Sequence, residues 1–443
     1  MEHDPVLRGF FHDDSIFKKY LDRVVESTEA PLRYHCAAIL SALGIVVGRR
    51  AVMQTGIYGI YPITPVILVG PSGVGKTQAI QLAQILVREV TKGQVPRRKG
   101  AADDKHMGSK MWLLADEATP QAIIRAFTLT PWGDDRNEDT DPAELAIIAG
   151  EMATFMSRSG EKEGMIPVLT KLLEQPDEYS RLLVKDMTRG DRKQDITYPT
   201  TSFMAGTTIE WMRKLMPSEM FSGGFFRRCI MVKEERKGQY LPNPKRLDAG
   251  ELRKMAERWE KTLFRSGYLN QDAYKGGIWR SKTIDFKSSE NYWAKWGKIH
   301  HERRPGDARL VGHHNALPQT IQRTAMCFAV ARQKDKVEPQ DLKEAEAFIL
   351  SLLGDLHEVL LQSEVHGFAD YCQLLHRLLI NQQHSTESEL RTQIKCPGAM
   401  FEDLLEWSVA SGLAKRGGTK KAPWVELANK GMTSWGTTPK KKS

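Results

Sequence analysis

The chain has 443 residues, of which 41% are hydrophobic and 27% are charged, with 64 Lys and Arg against 55 Asp and Glu. This composition excludes a disordered chain, a collagen-like repeat and a coiled-coil rod. Because domains typically hold roughly 100–200 residues, the length predicts two to four domains.

Neither a membrane span nor a secretory signal is visible in the sequence. The longest apolar stretch, near residues 37–48, is far shorter than the roughly 20 residues that cross a bilayer. The first residues lack the basic and apolar regions of a signal peptide. The cysteines are scattered and never form a C-x-x-C pair, which argues against a disulfide framework or a thiolate zinc site. We therefore expect a cytoplasmic protein without a membrane partner.

The positive charge is concentrated near the C-terminal end. Residues 413–443 carry eight Lys or Arg and a single acid, Glu426, so most of the net charge of +9 lies there. This asymmetry favours a polyanionic partner, above all nucleic acid. A solvated, partly disordered tail is the alternative, and it is favoured for the last three lysines taken alone.

In chain order, the first predicted elements are two helices. Apolar residues at helical spacing predict one helix from about residue 13, and Pro31 opens a second, apolar helix that ends near residue 48. We expect a packing role for both. From residue 61 to 245, short apolar strands alternate with helices, which predicts an α/β sheet of mostly parallel strands. The five candidate strands are Val66–Val69, Trp112–Ala115, Leu145–Ala149, Ser202–Ala205 and Cys229–Val232.

The second half of the chain is predicted to be mostly helical. Residues 246–358 show helical periodicity, and Pro339 opens the last helix of this part. Residues 359–430 predict helices followed by two short strands, Leu413–Arg416 and Trp424–Leu427, joined by a glycine- and lysine-rich loop. Helices followed by a basic hairpin are typical of a winged helix.

A phosphate-binding loop is the most specific motif in the sequence. It fits the pattern G-x-x-x-x-G-K-[ST], and the required strand precedes it and the required helix, Gln78–Val87, follows it. Its glycines let backbone N–H groups surround phosphate oxygens at a helix N-terminus. Lys76 would reach the β- and γ-phosphates, and Thr77 would bind Mg²⁺. The predicted site for ATP and Mg²⁺ comprises Gly70, Pro71, Ser72, Gly73, Val74, Gly75, Lys76, Thr77 and Gln78.

Two segments compete for the acid that ATP hydrolysis requires. The stretch Trp112–Glu117 ends in Asp-Glu, and the stretch Leu145–Glu151 ends in Gly-Glu. Local pattern favours Asp116-Glu117, which offers two carboxylates. A Thr-Pro pair follows at once, however, so these acids are also typical of a helix N-terminus. The residues alone therefore leave both segments as candidates.

The order of these parts resembles the AAA+ ATPases. In that family the phosphate loop follows the first of five strands, the catalytic acid ends the third, a polar sensor ends the fourth, and an arginine precedes the fifth. The resemblance implies Glu151 as the catalytic acid and Thr208, in Thr207-Thr208, as the sensor. It implies Arg228 as the arginine finger, with Arg227 as the alternate. Arg323, after the helical lid, stands where a second sensor arginine is expected.

Within the AAA+ class, the sequence most resembles phage and plasmid helicase-like domains related to superfamily 3 and minichromosome-maintenance helicases. The supporting features are the Asp116-x-x-Thr119-Pro120 helix opening, Pro199 before the fourth strand, and the last lid helix. The resemblance covers about 31–430 and implies an α/β fold with an AAA+ core of five mostly parallel strands. The expected parts are an N-terminal helical region (1–60), the AAA+ core (61–245), the lid (246–358), a winged helix (359–430) and a basic tail (431–443).

One departure from the family concerns the metal. The family pairs Asp with Glu at the end of the third strand, whereas this chain has Gly150 before Glu151. Mg²⁺ would then depend on Thr77, the phosphates and water, with Asp116 as a further candidate. This departure bears on the rate of hydrolysis and leaves nucleotide binding unaffected.

Two basic segments are predicted to contact DNA. In helicases of this group a hairpin before the fourth strand enters the central channel of the ring, and the matching region here is 185–193. The predicted third helix of the winged helix is acidic, so its wing is the better contact, and DNA binding would tolerate different sequences. The predicted DNA contacts are Arg189, Arg192 and Lys193 in the hairpin, and Lys415, Arg416, Lys420 and Lys421 in the wing.

The sequence therefore predicts an ATP-driven DNA helicase or translocase for phage or plasmid replication. It would act as a homo-oligomeric ring, with a hexamer as the expected size, on single-stranded or forked DNA, with a primase as a candidate partner, in a bacterial or phage-infected cell. The first alternative is a replication initiator or helicase loader that uses ATP as an assembly switch without unwinding. A small-molecule P-loop kinase is the third hypothesis, which the arginines before the fifth strand, the lid and the basic C-terminal region disfavour.

Overall fold

The structure, a computed structural model, forms two compact units, Met1–Val359 and Leu360–Ser443. In the first unit it describes residues 4–55, 58–91, 112–113, 120, 123, 144–154, 156, 165–174, 181–185, 193–197, 200–215, 224–269, 281–303, 310–356 and 359. In the second unit it describes residues 371–372, 375–376, 378–379, 382, 384–394, 398–419 and 422–428.

The first unit begins with the two predicted helices, Ile16–Val25 and Leu32–Val47. The side chain of Ser15 caps the first by accepting the N–H of Phe17. The prediction that no apolar stretch is long enough to cross a bilayer was wrong, because among the described residues the helical stretch Leu32–Arg50 meets that length and composition. Its apolar window is 89% buried inside the protein, as in the core helix of a water-soluble protein. This helix packs against Lys76–Thr91 at the centre of the hydrophobic core.

A five-stranded parallel sheet forms the middle of the first unit, as the alternating pattern predicts. Its strands are adjacent in the order second, third, fourth, first and fifth, and every neighbouring pair is parallel. The fourth strand therefore lies between the first and the third. In chain order the five strands are Val66–Val69, Trp112–Leu113, Glu144–Ala149, Thr200–Thr207 and Ile230–Lys233.

The predicted strand positions agree with this sheet, with small differences at the ends. The fourth strand is longer at both ends than the predicted Ser202–Ala205, because its register with the third strand continues from Thr200. The fifth is shifted by one residue, since Cys229 closes the preceding turn by donating its N–H to Phe226 O. Residues 114–119, with the alternative acids Asp116 and Glu117, lie outside the described residues.

Helices cover the sheet and make up most of the described part of 246–358. The helix after the phosphate loop spans Lys76–Thr91, and shorter helices span Met165–Leu172 and Ile209–Leu215. An antiparallel pair, Arg181–Lys185 with Lys193–Thr197, precedes the fourth strand. The mostly helical pattern predicted for 246–358 agrees with helices at Ala249–Arg265, Glu290–Glu302, Val311–Ala331 and Pro339–Ser351.

Three short strands of the first unit were not expected from the sequence. Ala51–Thr55 pairs antiparallel with Tyr58–Ile60 and parallel with Lys282–Thr283. The N-terminal segment is therefore not purely helical, because the end of its second helix continues into a strand that is completed by residues more than 200 positions away.

The second unit combines helices with a three-stranded antiparallel sheet. His384–Thr386 pairs with Ala422–Leu427, which pairs with Ala414–Thr419. The helices Glu387–Ile394 and Gly398–Ala410 surround a small core that includes Leu390, Phe401 and Leu405. The hairpin strands are longer than predicted, since the glycines at 417 and 418 pair within the ladder instead of forming the loop.

Candidate nucleotide site

The predicted phosphate loop connects the first strand to the helix Lys76–Thr91. Gly73 and Gly75 adopt φ angles of 81° and 107°, which favour glycine over residues with a Cβ atom. A Cβ atom on Gly75 would also lie 2.5 Å from the Cβ of Ala30. The Gly70 N–H donates to the Thr207 carbonyl at 3.1 Å, which links the loop to the fourth strand. This glycine-lined turn at a helix N-terminus fits a chain of phosphates.

The N-terminal helical segment supports the loop directly, a role that the sequence did not reveal. The hydroxyl of Tyr34 donates to the carbonyl oxygen of Val69 at 2.6 Å, at the last residue of the first strand. Ala30, in the connection between the two N-terminal helices, packs against Gly75. A region that showed only packing patterns in the sequence therefore contacts both the strand that leads into the phosphate loop and the loop itself.

Lys76 is buried, and its ammonium group is held by the loop itself. Its Nζ donates to the carbonyl oxygens of Gly70 at 2.6 Å and Pro71 at 2.8 Å. Burial lowers the pKa of Lys76, whereas the charges of Glu151 and Glu210 oppose that shift. The ammonium group is therefore positioned at the loop and can exchange these carbonyl contacts for phosphate oxygens.

Glu151 lies two residues after the end of the third strand, and its charge acts on Lys76. Burial raises the pKa of the Glu151 carboxyl, and Lys76 opposes this rise. Thr154 donates its hydroxyl to the Glu151 carbonyl at 2.7 Å, which holds the turn after the strand. A half-buried carboxylate with a raised pKa, beside the phosphate-loop lysine, is suited to hold or deprotonate a water molecule.

Gly150 lies against Thr77, the predicted Mg²⁺ ligand. A Cβ atom at position 150 would lie 3.3 Å from Cγ2 and 3.9 Å from Oγ1 of Thr77. The position where AAA+ ATPases carry Asp thus faces the predicted metal ligand, and here it carries no side chain. Among the described residues, no group of three or more His, Cys, Asp or Glu could hold a metal. The exposed Thr77 hydroxyl fits Mg²⁺ as one ligand beside phosphates and water.

The fourth strand ends in the predicted sensor. The Thr208 hydroxyl accepts the N–H of Trp211 at 3.1 Å and so caps the helix Ile209–Leu215. Thr207 is fully buried, and its hydroxyl donates to the Thr208 carbonyl at 3.4 Å. Glu210, two residues further on, acts electrostatically on Lys76. The sequence did not single out Glu210, because an acid directly after an N-cap is common at helix starts.

The predicted arginines form a separate cluster. Arg228 donates to the Gly224 carbonyl and to the Glu174 carboxylate. Arg323 is only 4% exposed, and its Nε has no hydrogen-bond partner in the described part of the chain. Burial, followed by the charge of Arg228, lowers the pKa of Arg323 to about 10. Burial, followed by the charge of the exposed Arg227, lowers the pKa of His313 to about 4.

This arginine cluster and the phosphate loop lie at opposite edges of the sheet, the loop at the carboxyl ends of the strands and the arginines at their amino ends. The first and fifth strands are parallel, and Val66 pairs with Ile230. The loop follows the end of its strand, whereas Arg228 precedes the beginning of the fifth. At about 3.3 Å per residue, Arg228 and Gly70 are separated by ~20 Å along the strand direction. Arg228 therefore cannot reach a phosphate held by the loop of its own chain.

The predicted DNA contacts are only partly described. Lys193 begins the second strand of the pair that precedes the fourth sheet strand, while Arg189 and Arg192 lie outside the described residues. In the second unit, Lys415 is exposed in the strand Ala414–Thr419, opposite Glu426. Lys420 and Lys421 lie outside the described residues.

Arg416 is already engaged by acids of its own unit. Its guanidinium binds the Glu387 carboxylate through two nitrogens and the Glu402 carboxylate at 3.1 Å. These bonds raise the pKa of Arg416, with Glu387 as the largest cause. A phosphate would have to compete with two carboxylates for this side chain, so Lys415 is the less encumbered of the two.

Comparison of the sequence with protein-family models and with curated proteins found no match.

Proposed function

We propose that this chain is an ATPase with an AAA+ core that works as a homo-oligomeric ring, and that it acts as an ATP-dependent DNA helicase or translocase in phage or plasmid replication. The observation that carries the proposal is the separation of the nucleotide site into two halves. Lys76, Thr77 and Glu151 converge at one edge of the sheet, while Arg228 lies at the opposite edge, so a complete site needs two chains.

On the loop side, each residue has a distinct role. The backbone N–H groups of the loop and the Lys76 ammonium bind the phosphates, and Thr77 holds Mg²⁺, which supplies charge neutralisation when bound. Glu151 orients the attacking water and accepts its proton, because its carboxylate is half-buried and near the loop. Thr207 or Thr208 forms a hydrogen bond with the γ-phosphate. This contact affects the position of the helix Ile209–Leu215, because Thr208 caps that helix.

On the opposite side, Arg228 acts on the nucleotide of a neighbouring chain. Within one chain its guanidinium is held by Gly224 and by Glu174, whose side chain is 56% exposed. In an oligomer the neighbour's phosphate competes with Glu174 for the same guanidinium. Arg323 lies beside it, buried and without a described carboxylate partner, and adds positive charge at this edge.

DNA contact is assigned to the two basic strand pairs. The pair Arg181–Lys185 and Lys193–Thr197 is an antiparallel ribbon placed before the fourth strand, where the helicase group has its channel hairpin. The second unit has the helices and the antiparallel hairpin of the proposed winged helix, with Lys415 on its exposed surface. Contacts of this kind bind phosphates and tolerate different sequences.

A loader or initiator that uses ATP as an assembly switch is the second candidate. The specific observation in its favour is that position 150, which lies against Thr77, carries no side chain and so supplies no carboxylate ligand for Mg²⁺. Weaker metal binding slows hydrolysis more than it weakens nucleotide binding, since the loop and Lys76 remain.

ATP hydrolysis by the wild type and by Glu151→Gln, with and without single-stranded DNA, tests the proposal. We expect DNA to stimulate turnover by the wild type, and we expect Glu151→Gln to lower that turnover at least about 100-fold. Light scattering should show particles of the size of a ring. Separation of a forked duplex distinguishes the two candidates, because a loader binds DNA without unwinding it. Turnover that survives the substitution would place the catalytic acid elsewhere, with Asp116-Glu117 as the next candidates.

A further inference from the structure

An open cavity lies between the first helix, Ile16–Val25, and the first lid helix, Ala249–Arg265. None of its lining residues belongs to either half of the nucleotide site. It encloses about 220 Å³. Its floor is apolar and is formed by Ile16, Tyr20, Met255 and Trp259. Tyr20 and Trp259 are nearly fully buried, so only a small part of each side chain is accessible.

The rim of this cavity is positively charged. Lys19, Arg258, Lys261 and Arg265 line it, all four are exposed, and no acid is among the described lining residues. The three cations of the lid helix recur at spacings that place them on one face. In the described part of the chain none of the four forms an ion pair. The helix also carries Glu257 and Glu260, but neither lines the cavity.

The two features together define the chemistry of a ligand. The cations attract a polyanion of any kind, but phosphodiester contacts would leave the apolar floor unfilled. An apolar side chain in the cavity would gain the free energy of burial, as aromatic anchors do at the centres of protein interfaces. A ligand that satisfies both features carries an apolar side chain flanked by carboxylates.

We propose that this cavity is a docking site for an acidic segment of a partner protein, anchored by one large apolar side chain. The flanking carboxylates lie against the four cations of the rim, while the anchor fills the cavity over Trp259 and Met255. This site is separate from ATP binding and does not depend on the proposed ATPase activity. It would let the protein hold a partner while both halves of its nucleotide site remain free.

Fluorescence anisotropy with the full-length chain and labelled peptides tests this proposal. The probes are the peptide Asp-Asp-Phe-Asp-Asp, the same peptide with Ser in place of Phe, and a thymidine oligonucleotide. The wild type should bind the Phe peptide at least about tenfold more tightly than the Ser peptide, from burial of the ring. The rim variant, Arg258→Ala with Lys261→Ala, should bind the Phe peptide roughly fivefold more weakly.

Two further variants separate specific docking from general charge. Thr262→Trp should fill the cavity and abolish the preference for Phe while leaving every rim charge in place. The matched control, Arg253→Ala with Lys298→Ala, removes the same charge from exposed positions that do not line the cavity, and it should bind like the wild type. Thermal unfolding of each variant establishes that it is folded.

Equal affinity of the wild type for both peptides, or absence of saturable binding of the Phe peptide, would overturn the proposal. So would an equal loss in the rim and control variants. If the rim variant loses only oligonucleotide binding, the cavity is a nucleic-acid contact instead. ATP hydrolysis measured on the same samples tests the ATPase proposal independently of the docking proposal. The rim variant should retain wild-type turnover whether or not it binds the Phe peptide.

Discussion

Two inactive variants should restore each other's activity when mixed if Arg228 acts on the nucleotide of a neighbouring chain. Lys76→Ala removes the loop cation, and Arg228→Ala removes the arginine at the other edge of the sheet. Each variant alone should retain no more than about 1% of wild-type turnover, because a finger arginine contributes factors of about 10³–10⁵. Assembly of both variants in one ring creates some complete sites.

The fraction of wild-type turnover that the mixture recovers depends on which chain supplies each half of the nucleotide site. Arg228 and Gly70 are ~20 Å apart along the strand direction within one chain, so each site takes its loop from one chain and its arginine from the next. In an equal mixture, about a quarter of the interfaces combine an intact Lys76 with an intact Arg228 from its neighbour. We therefore expect turnover near a quarter of the wild-type value if the sites act independently.

The assay is steady-state ATP hydrolysis at constant total protein across mixing ratios, with ring assembly followed by light scattering. The matched control is a mixture of Lys76→Ala with Glu151→Gln. Both residues belong to the loop side, so no interface in that mixture has a complete loop side and no recovery is expected. Recovery in the control as well, or none in the first mixture despite mixed assembly, would refute the assignment of the two edges to different chains.

Three further predictions concern individual residues. Gly150→Asp should place a carboxylate beside Thr77 and lower the Mg²⁺ concentration needed for half-maximal hydrolysis; an unchanged magnesium titration would show that position 150 does not face the metal. Burial raises the pKa of Glu151, so turnover should fall on acidification at a higher pH than for an ordinary Glu; a pH–rate profile with a fall only at or below pH 4.5 would contradict this. Burial lowers the pKa of His35 to about 4 from 6.5. On acidification the unfolded chain therefore protonates His35 at a higher pH than the folded chain does. About 3 kcal/mol of the free energy of unfolding that is present above pH 6.5 should be lost as the pH falls to about 4. Urea unfolding should show this loss in the wild type and a smaller one in His35→Gln.

Features that depend on neighbouring residues were predictable from the sequence. The phosphate loop is a continuous motif, and the strand that precedes it was located to the residue because four apolar residues stand between Pro65 and Gly70. The other sheet strands were located within one or two residues at most described ends, since each is a short apolar run. The glycines at 417 and 418 were taken for a loop, yet they pair in the hairpin because the opposite strand continues to Ala422.

Features that join distant parts of the chain came only from the tertiary structure. The strand order places the fourth strand between the first and the third, and this brings Gly150 to Thr77 and Glu210 near Lys76. Helix packing places Arg323 beside Arg228, and it places Tyr34 at the end of the first strand. Such contacts depend on which strands pair and on how helices pack over them. Those choices are made by the free energy of the whole core, and no short stretch of sequence carries that information.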